Sequence, residues 1–171
     1  MHARWLQLQK HSTMRKFLFI PILILIFSFT SYKEFDTYCN SRFDFCIEYP
    51  NVFKSQISPT NGDGLIFISP DKNAEIRAFG RLAVEDLDKL GQEFEIASTD
   101  IKFTYRKIAK NWFIFSGINK QGKMVYQKTI KKKITYMGQA GTYVFQSLMI
   151  TYPVVQKKFY ESYCTKISKS L

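Results

Sequence analysis

Apolar and polar residues alternate strictly near the start of the body of the chain. In residues 42–49 (RFDFCIEY) an apolar side chain stands at every second position. Side chains at that spacing lie on one face of a strand, so we predict a half-buried strand that ends at Pro50. Further short apolar segments, separated by turn residues such as Asn61-Gly62, indicate more strands. We place these at residues 65–69, 74–79, 101–106, 111–118, 123–130 and 142–152.

The spacing of apolar residues changes from two to three or four in two segments. In residues 84–97 acidic residues come first, which predicts an amphipathic helix whose N-terminal dipole those acids favour. Pro153 suits the first turn of a second helix, which we expect to run to the end of the chain. The predicted buried stripes are Ala83, Leu87, Leu90 and Phe94 in the first helix and Val155, Phe159, Tyr163 and Ile167 in the second.

The order of these elements predicts an α+β domain. A strand and a hairpin come first, followed by a helix, an antiparallel meander and a terminal helix. We expect an antiparallel β-sheet of about six strands with helices packed on it and the terminal helix at the C-terminus. Residues 31–171 are long enough for a single domain with a substantial core.

The same residues resemble a known superfamily. The segments RFDFCIEYP (42–50), NGDGLIFISPDKNAEIRAFG (61–80), LMITYP (148–153) and ISKSL (167–171) are similar in pattern to the PsbP-like superfamily. That superfamily includes extrinsic photosystem proteins and DcrB-type envelope proteins. The resemblance implies a PsbP-like α/β/α sandwich in a non-catalytic exported protein that supports or binds another molecule. It implies no site residue, because no site motif of the superfamily stands in this sequence.

The N-terminal segment predicts export. Two basic residues precede an uncharged apolar run over residues 17–29, and small polar residues follow it. This order is typical of a secretory signal peptide, which we place at residues 14–30 after an upstream extension of residues 1–13. As a helix the run reaches only about 20 Å, against roughly 30 Å of hydrocarbon core. We therefore expect cleavage after Thr30 and a periplasmic or secreted product that does not span the membrane, with an uncleaved anchor as the alternative.

Loss of the signal peptide would also remove both histidines, His2 and His11. Without histidine, the mature chain has no Ser-His-Asp or Cys-His catalytic arrangement and no histidine-ligated zinc. The sequence also contains no GxGxxG, P-loop or GxSxG motif. We therefore expect no catalytic residue, no metal and no cofactor.

Three weaker constellations have simpler interpretations. Asp44 and Glu48 lie on the outward side of the first predicted strand, where solvated carboxylates are ordinary. Residues 168–169 are a Ser-Lys pair, but neighbouring helical positions point apart. The segments 61–64 and 71–73 hold oxygen ligands that suit calcium, yet turns require the same residues.

Charge is divided unevenly along the chain. Residues 32–100 contain 7 basic and 13 acidic residues, whereas residues 101–171 contain 14 and 1. A basic patch with aromatic residues among it is what a protein that reads anionic polymers uses. The candidate binding residues are Lys120, Lys123, Lys128, Lys131, Lys132 and Lys133, with Trp112, Phe113, Phe115, Tyr126 and Tyr136 among them. The alternative is that the aromatic residues form core and the lysines are solvated or protect a sheet edge.

These observations favour a non-enzymatic extracytoplasmic binding or accessory domain of unknown ligand, for which an envelope protein is a candidate partner. The alternative is a lysine-rich surface that binds an anionic envelope polymer, such as lipopolysaccharide, an acidic glycan or lipid headgroups. An unrecognised hydrolase is a third and weaker hypothesis. An exported domain meets lipids and polysaccharides first, so we expect no nucleic-acid partner.

Three cysteines allow one intramolecular disulfide in an exported chain, where disulfides persist. Cys46 lies within the first predicted strand, whereas Cys39 precedes that strand. Cys164 lies on the apolar stripe of the terminal helix. We predict a Cys39–Cys164 disulfide that closes nearly the whole domain and leaves Cys46 free. The alternative is that all three are small buried apolar residues.

Overall fold

The computed structural model describes residues 34–84 and 89–171. The predicted upstream extension and signal peptide lie outside the described residues. The strands are β1 (Phe35–Asn40), β2 (Phe45–Pro50), β3 (Lys54–Ser55), β4 (Gly64–Ile68), β5 (Glu75–Leu82), β6 (Lys102–Ile108), β7 (Trp112–Ile118), β8 (Lys123–Tyr136) and β9 (Gln139–Pro153). The helices are α1 (Leu90–Ala97) and α2 (Lys157–Ser170), and a 3₁₀ turn over Val154–Gln156 precedes α2. In this part of the chain, no helix is long and apolar enough to cross a membrane.

Seven strands form the main sheet in the order β3-β4-β5-β9-β8-β7-β6, and every neighbouring pair is antiparallel. β1 and β2 form a separate two-stranded ribbon. The α+β fold with a largely antiparallel sheet and a C-terminal helix is therefore confirmed. The main sheet has one strand more than the expected six.

Different elements cover the two faces of the main sheet. Successive side chains of a strand point to opposite faces, and the neighbours Leu148 and Met149 in β9 contribute to different apolar clusters. Helix α2 and the β1–β2 ribbon cover the larger cluster, on what we call the α2 face. Helix α1 covers the smaller cluster on the opposite α1 face, where Phe94 packs on Phe113 and Phe115. The domain therefore has three layers. Helix α2 and the ribbon form the first, the main sheet forms the second, and helix α1 forms the third.

Three predicted elements begin later than expected. The second helix was expected from Pro153, but Pro153 ends β9 and α2 starts at Lys157 after the 3₁₀ turn. Residues 41–44 form a turn in which Asp44 has a φ of 51°, so β2 starts only at Phe45. Helix α1 starts at Leu90, because Lys89 has an extended backbone. The acidic first turn that the sequence predicted falls on residues 85–88, which lie outside the described residues.

The turn between β8 and β9 is shorter than predicted. The sequence indicated a break over residues 138–141, but the turn residues are Met137 and Gly138, with φ of 48° and 84°. Two successive residues with positive φ make the tight hairpin turn whose twist matches its flanking strands. Both strands consequently extend further than expected and form the central hairpin of the sheet.

The predicted Cys39–Cys164 disulfide is wrong. Cys39 and Cys46 stand opposite each other in the β1–β2 register and form the disulfide. The prediction failed because residues 35–40 were not recognised as a strand that pairs back onto β2. Cys164 does lie on the buried side of α2, as expected, but it is a free thiol.

Candidate functional site

The six candidate lysines do not form one surface. Lys123, Lys131 and Lys133 occupy odd positions of β8 and lie on the α1 face with Val125. Lys128 and Lys132 occupy even positions and lie on the α2 face. The sixth lysine, Lys120, is in the turn between β7 and β8. A single polyanion could therefore not contact all six lysines at once.

Lys128 holds the end of helix α2. Its ammonium group donates hydrogen bonds to the carbonyl oxygens of Ser168 and Leu171, both at 2.7 Å. The last carbonyls of a helix lack partners within the helix, and a cation there also complements the helix dipole. Burial lowers the pKa of Lys128. These contacts make Lys128 part of the packing between α2 and the sheet.

Three further lysines join β8 and its turn to other segments. Lys132 pairs with Asp44 at 3.0 Å, and so links β8 to the turn of the ribbon. Lys120 pairs with Asp100 at 2.6 Å. Lys123 donates to the backbone carbonyl of the β4–β5 turn at 3.2 Å. Exposed ion pairs of this kind stabilise a fold only weakly, by about 0–1 kcal/mol each.

The remaining two lysines lie over an aromatic ring. The ammonium groups of Lys131 and Lys133 are 5.1 and 4.8 Å from the centre of the Tyr143 ring. Beside them, the guanidinium of Arg81 is 4.6 Å from the Phe145 ring. Arg81 is also paired with the buried Glu93 of α1. The two lysines are therefore the cations of this aromatic surface, whose rings lie on the α1 face.

The aromatic residues near the lysines are mostly core, as the alternative interpretation expected. Phe113 and Phe115 are buried under α1, and Tyr136 is buried on the α2 face. Tyr126 packs against the same cluster as Tyr136. Trp112 is half-buried, and the ammonium group of Lys107 lies 5.6 Å from its ring centre.

An apolar groove opens on the α1 face, over β4 and β5. Its volume is about 420 Å³. Ile66, Phe79 and Met149 line it from three neighbouring strands, and Ile57 from the β3–β4 loop lines it with 97% of its side chain exposed. Its polar lining includes Asn61, Asp63 and Arg77.

The loop beside the groove is fixed at several points. Arg42 in the ribbon turn pairs with Asp63 at 2.7 Å and also donates to the carbonyl oxygen of Asn61. Asn40 donates to the carbonyl oxygen of Gly62 at 3.0 Å. Arg42 further donates to the hydroxyl of Tyr136 at 2.9 Å, and this hydrogen bond raises the pKa of Arg42. The β1–β2 ribbon thus holds the loop that borders the groove.

The close approach of β4 to β5 depends on a glycine. A Cβ atom at Gly64 would lie 2.2 Å from the backbone oxygen of Ala78 and 2.7 Å from the Cα atom of Phe79. A larger residue would therefore push β4 away from β5, beside the groove.

Comparison with known proteins places this architecture. No family model and no curated protein matches the sequence. The solution structure of cyanobacterial PsbP from Synechocystis sp. PCC 6803 is similar, with a TM-score of 0.52 over 80% of this chain and 91% of that chain. The chain has a PsbP-like fold. Because the sequences are only 10% identical, this likeness concerns the fold alone.

The two calcium candidates in this PsbP-like fold are occupied by turn contacts. Asp63 pairs with Arg42 and accepts from the Asn61 amide. Asp71 accepts hydrogen bonds from the Ser69 hydroxyl and the Asn73 backbone, which lower its pKa. In residues 34–84 and 89–171, no three metal-binding side chains come together.

The other weak constellations are not brought together either. Asp44 lies in the ribbon turn and pairs with Lys132, whereas Glu48 lies within β2. The hydroxyl of Ser168 donates to the carbonyl of Thr165 in its own helix at 3.2 Å.

Sequence reasoning missed the groove of this PsbP-like fold. Its lining comes from residues far apart in sequence, which meet only through the pairing of β4, β5 and β9. The one available signal was Ile57, a large apolar residue in the otherwise polar segment before Asn61.

Proposed function

We propose that this PsbP-like domain is an exported, non-enzymatic accessory protein that binds a partner through the groove over β4 and β5. The groove carries this proposal, because its lining is mainly apolar and Ile57 is almost fully exposed beside it. Ligand sites are typically clefts of about 300–1,000 Å³ with an apolar lining and a few polar groups. The groove has that size and composition.

The groove chemistry indicates the kind of group that would bind. Ile66, Phe79 and Met149 present apolar surface and contribute no charge to the groove. An apolar side chain or acyl chain therefore suits this part of the groove. Arg77 at the polar part of the groove pairs with Glu75, which leaves that part close to neutral. The partner would therefore contribute an apolar group, flanked by polar atoms.

Site-specific photo-crosslinking in intact cells tests this proposal. A photoreactive residue at position 57 should give a discrete adduct, whereas one at position 96 should not. Ile96 is a matched control, since it is 62% exposed but lies on α1 outside the groove lining. In the position-57 protein, Ile66→Lys should reduce the adduct at least ~tenfold, because it places a charge against the apolar group. Equal adducts from both positions, or an adduct unaffected by Ile66→Lys, would contradict the proposal.

Lysines 131 and 133 support a second candidate function, the binding of an anionic envelope polymer. The specific observation is that both ammonium groups lie over the Tyr143 ring, and that of Lys131 also lies 5.7 Å from the centre of the Phe145 ring. Cations held over rings on one side of a sheet suit a chain of sulfate, phosphate or carboxylate groups.

Salt-dependent retention on heparin tests this second candidate. Lys131→Gln combined with Lys133→Gln should lower the slope of log affinity against log salt by about two. Lys132→Gln is the control, because it removes one neighbouring charge from the opposite face. If Lys132→Gln changes the slope as much per lysine as the double variant does, the charges act only in bulk and the candidate site is wrong.

A further inference from the structure

One end of the domain exposes apolar side chains that the groove does not use. Val155 is 93% exposed and Phe159 is 58% exposed at the start of α2, and Val52 in the turn after β2 is also exposed. Val52 and Phe159 line the same cleft, of about 350 Å³, together with Pro70 from the β4–β5 turn. We call Val52, Val155 and Phe159 the apolar tip.

The strand register places these segments at the same end. Lys54 pairs with Ile68 at the end of β4, and Lys123 at the start of β8 pairs with Pro153 at the end of β9. The turn after β2, the β4–β5 turn and the start of α2 therefore meet there. Packing of Phe159 on Tyr163, and of Tyr163 on Phe35, fixes the tip to the ribbon.

Exposed lysines accompany each part of the tip. Lys54 follows Phe53, which lines the cleft, Lys72 follows Asp71, which also lines it, and Lys158 precedes Phe159. Carboxylates are present as well. Asp71 is held by the Ser69 hydroxyl, and Glu161 is 3.5 Å from Lys157.

The chain also enters the domain at this end. The carbonyl oxygen of Glu34 accepts a hydrogen bond from the backbone of Asn51, next to Val52, at 3.0 Å. Any residues that precede Glu34 in the exported chain therefore join the domain beside Val52, at the apolar tip.

We propose that the apolar tip docks on an anionic lipid bilayer, with Val155 and Phe159 inserted at the interface and Lys54, Lys72 and Lys158 near the headgroups. Apolar side chains and nearby cations together are the two contributions that give stable peripheral binding. Each lysine near an anionic surface strengthens binding about fivefold. This inference does not depend on the groove.

Vesicle sedimentation of the exported protein tests the proposal. The protein should sediment with vesicles of phosphatidylcholine and phosphatidylglycerol at 3:1, and much less with phosphatidylcholine alone. Val155→Ser with Phe159→Ser should weaken binding at least ~tenfold, since much of two exposed apolar side chains no longer enters the lipid. Gln at Lys54, Lys72 and Lys158 should weaken it roughly a hundredfold at low salt.

The matched control combines Ile96→Ser with Ile108→Ser, which removes two exposed apolar residues outside the tip. Thermal unfolding of each variant checks that the domain stays folded. The proposal is overturned if the wild type does not sediment with anionic vesicles, or if the tip and control variants bind alike. It is also overturned if the protein is a dimer that Phe159→Ser dissociates, because a second copy would then cover the tip.

Discussion

Phe43→Ala is expected to lower the free energy of unfolding by about 3–5 kcal/mol, the range for a fully buried phenylalanine. Phe43 is 1% exposed and joins the ribbon to the main sheet. Its ring lies so close to β5 that a Cβ atom at Gly80 would be 2.3 Å from its Cγ atom. Its backbone oxygen accepts a hydrogen bond from the Gln146 amide at 2.8 Å. Loss of the ring would leave a cavity between the ribbon and the main sheet.

Urea unfolding of the wild type and variant measures this effect. Phe159→Ala is the matched control, because the same side chain is removed from a position that is 58% exposed. We expect Phe159→Ala to lower the free energy of unfolding by less than about 1 kcal/mol, as for most exposed positions. If Phe43→Ala costs no more than Phe159→Ala, the ribbon does not pack on the sheet as described.

Much of this fold could be predicted from the sequence because its strands are amphipathic. The alternation over residues 43–49 identified the buried side chains of the ribbon correctly, including Phe43 and Ile47. The predicted stripe of α2 was only partly right. Ile167 is buried and Tyr163 is half-buried, but Val155 and Phe159, which were predicted to be buried, are exposed. Local periodicity identifies an element and its inner face, and short connections predict the antiparallel pairing of successive strands. They do not predict the pairing of β5 with β9.

The candidate lysines show which side-chain positions sequence periodicity can predict and which it cannot. Lys131, Lys132 and Lys133 are consecutive in a strand, so they had to divide between two faces. This division was missed, because the predicted strand ended at residue 130, whereas β8 runs to Tyr136. In contrast, nothing local indicated that Lys128 would reach the end of α2, which is 40 residues away in the chain at Ser168.

The ribbon itself was only half predicted. β2 has a strict apolar alternation, but β1 has the sequence FDTYCN, in which half of the positions are polar and the apolar residues do not alternate with them. A strand of that kind is specified by its partner, through the register that sets Cys39 against Cys46. The error in the predicted disulfide was a consequence of the missing strand.

Replacing Cys39 and Cys46 together by serine is expected to lower the free energy of unfolding by about 2–3 kcal/mol, because the disulfide closes only a short loop. The sequence separation of 7 limits the entropy that the crosslink removes from the unfolded chain.

Non-reducing peptide mapping of the exported protein should detect a peptide in which Cys39 is joined to Cys46. Cys164 should be found as the alkylatable thiol. Burial raises the pKa of the Cys164 thiol to about 12, so at pH 8 its reactive thiolate is scarce in the folded state. Iodoacetamide should therefore label Cys164 at least about a thousandfold faster in denaturant than in native buffer. A peptide that links Cys39 to Cys164 would contradict the register of the ribbon. Rapid labelling of Cys164 in the native protein would contradict the packing of α2.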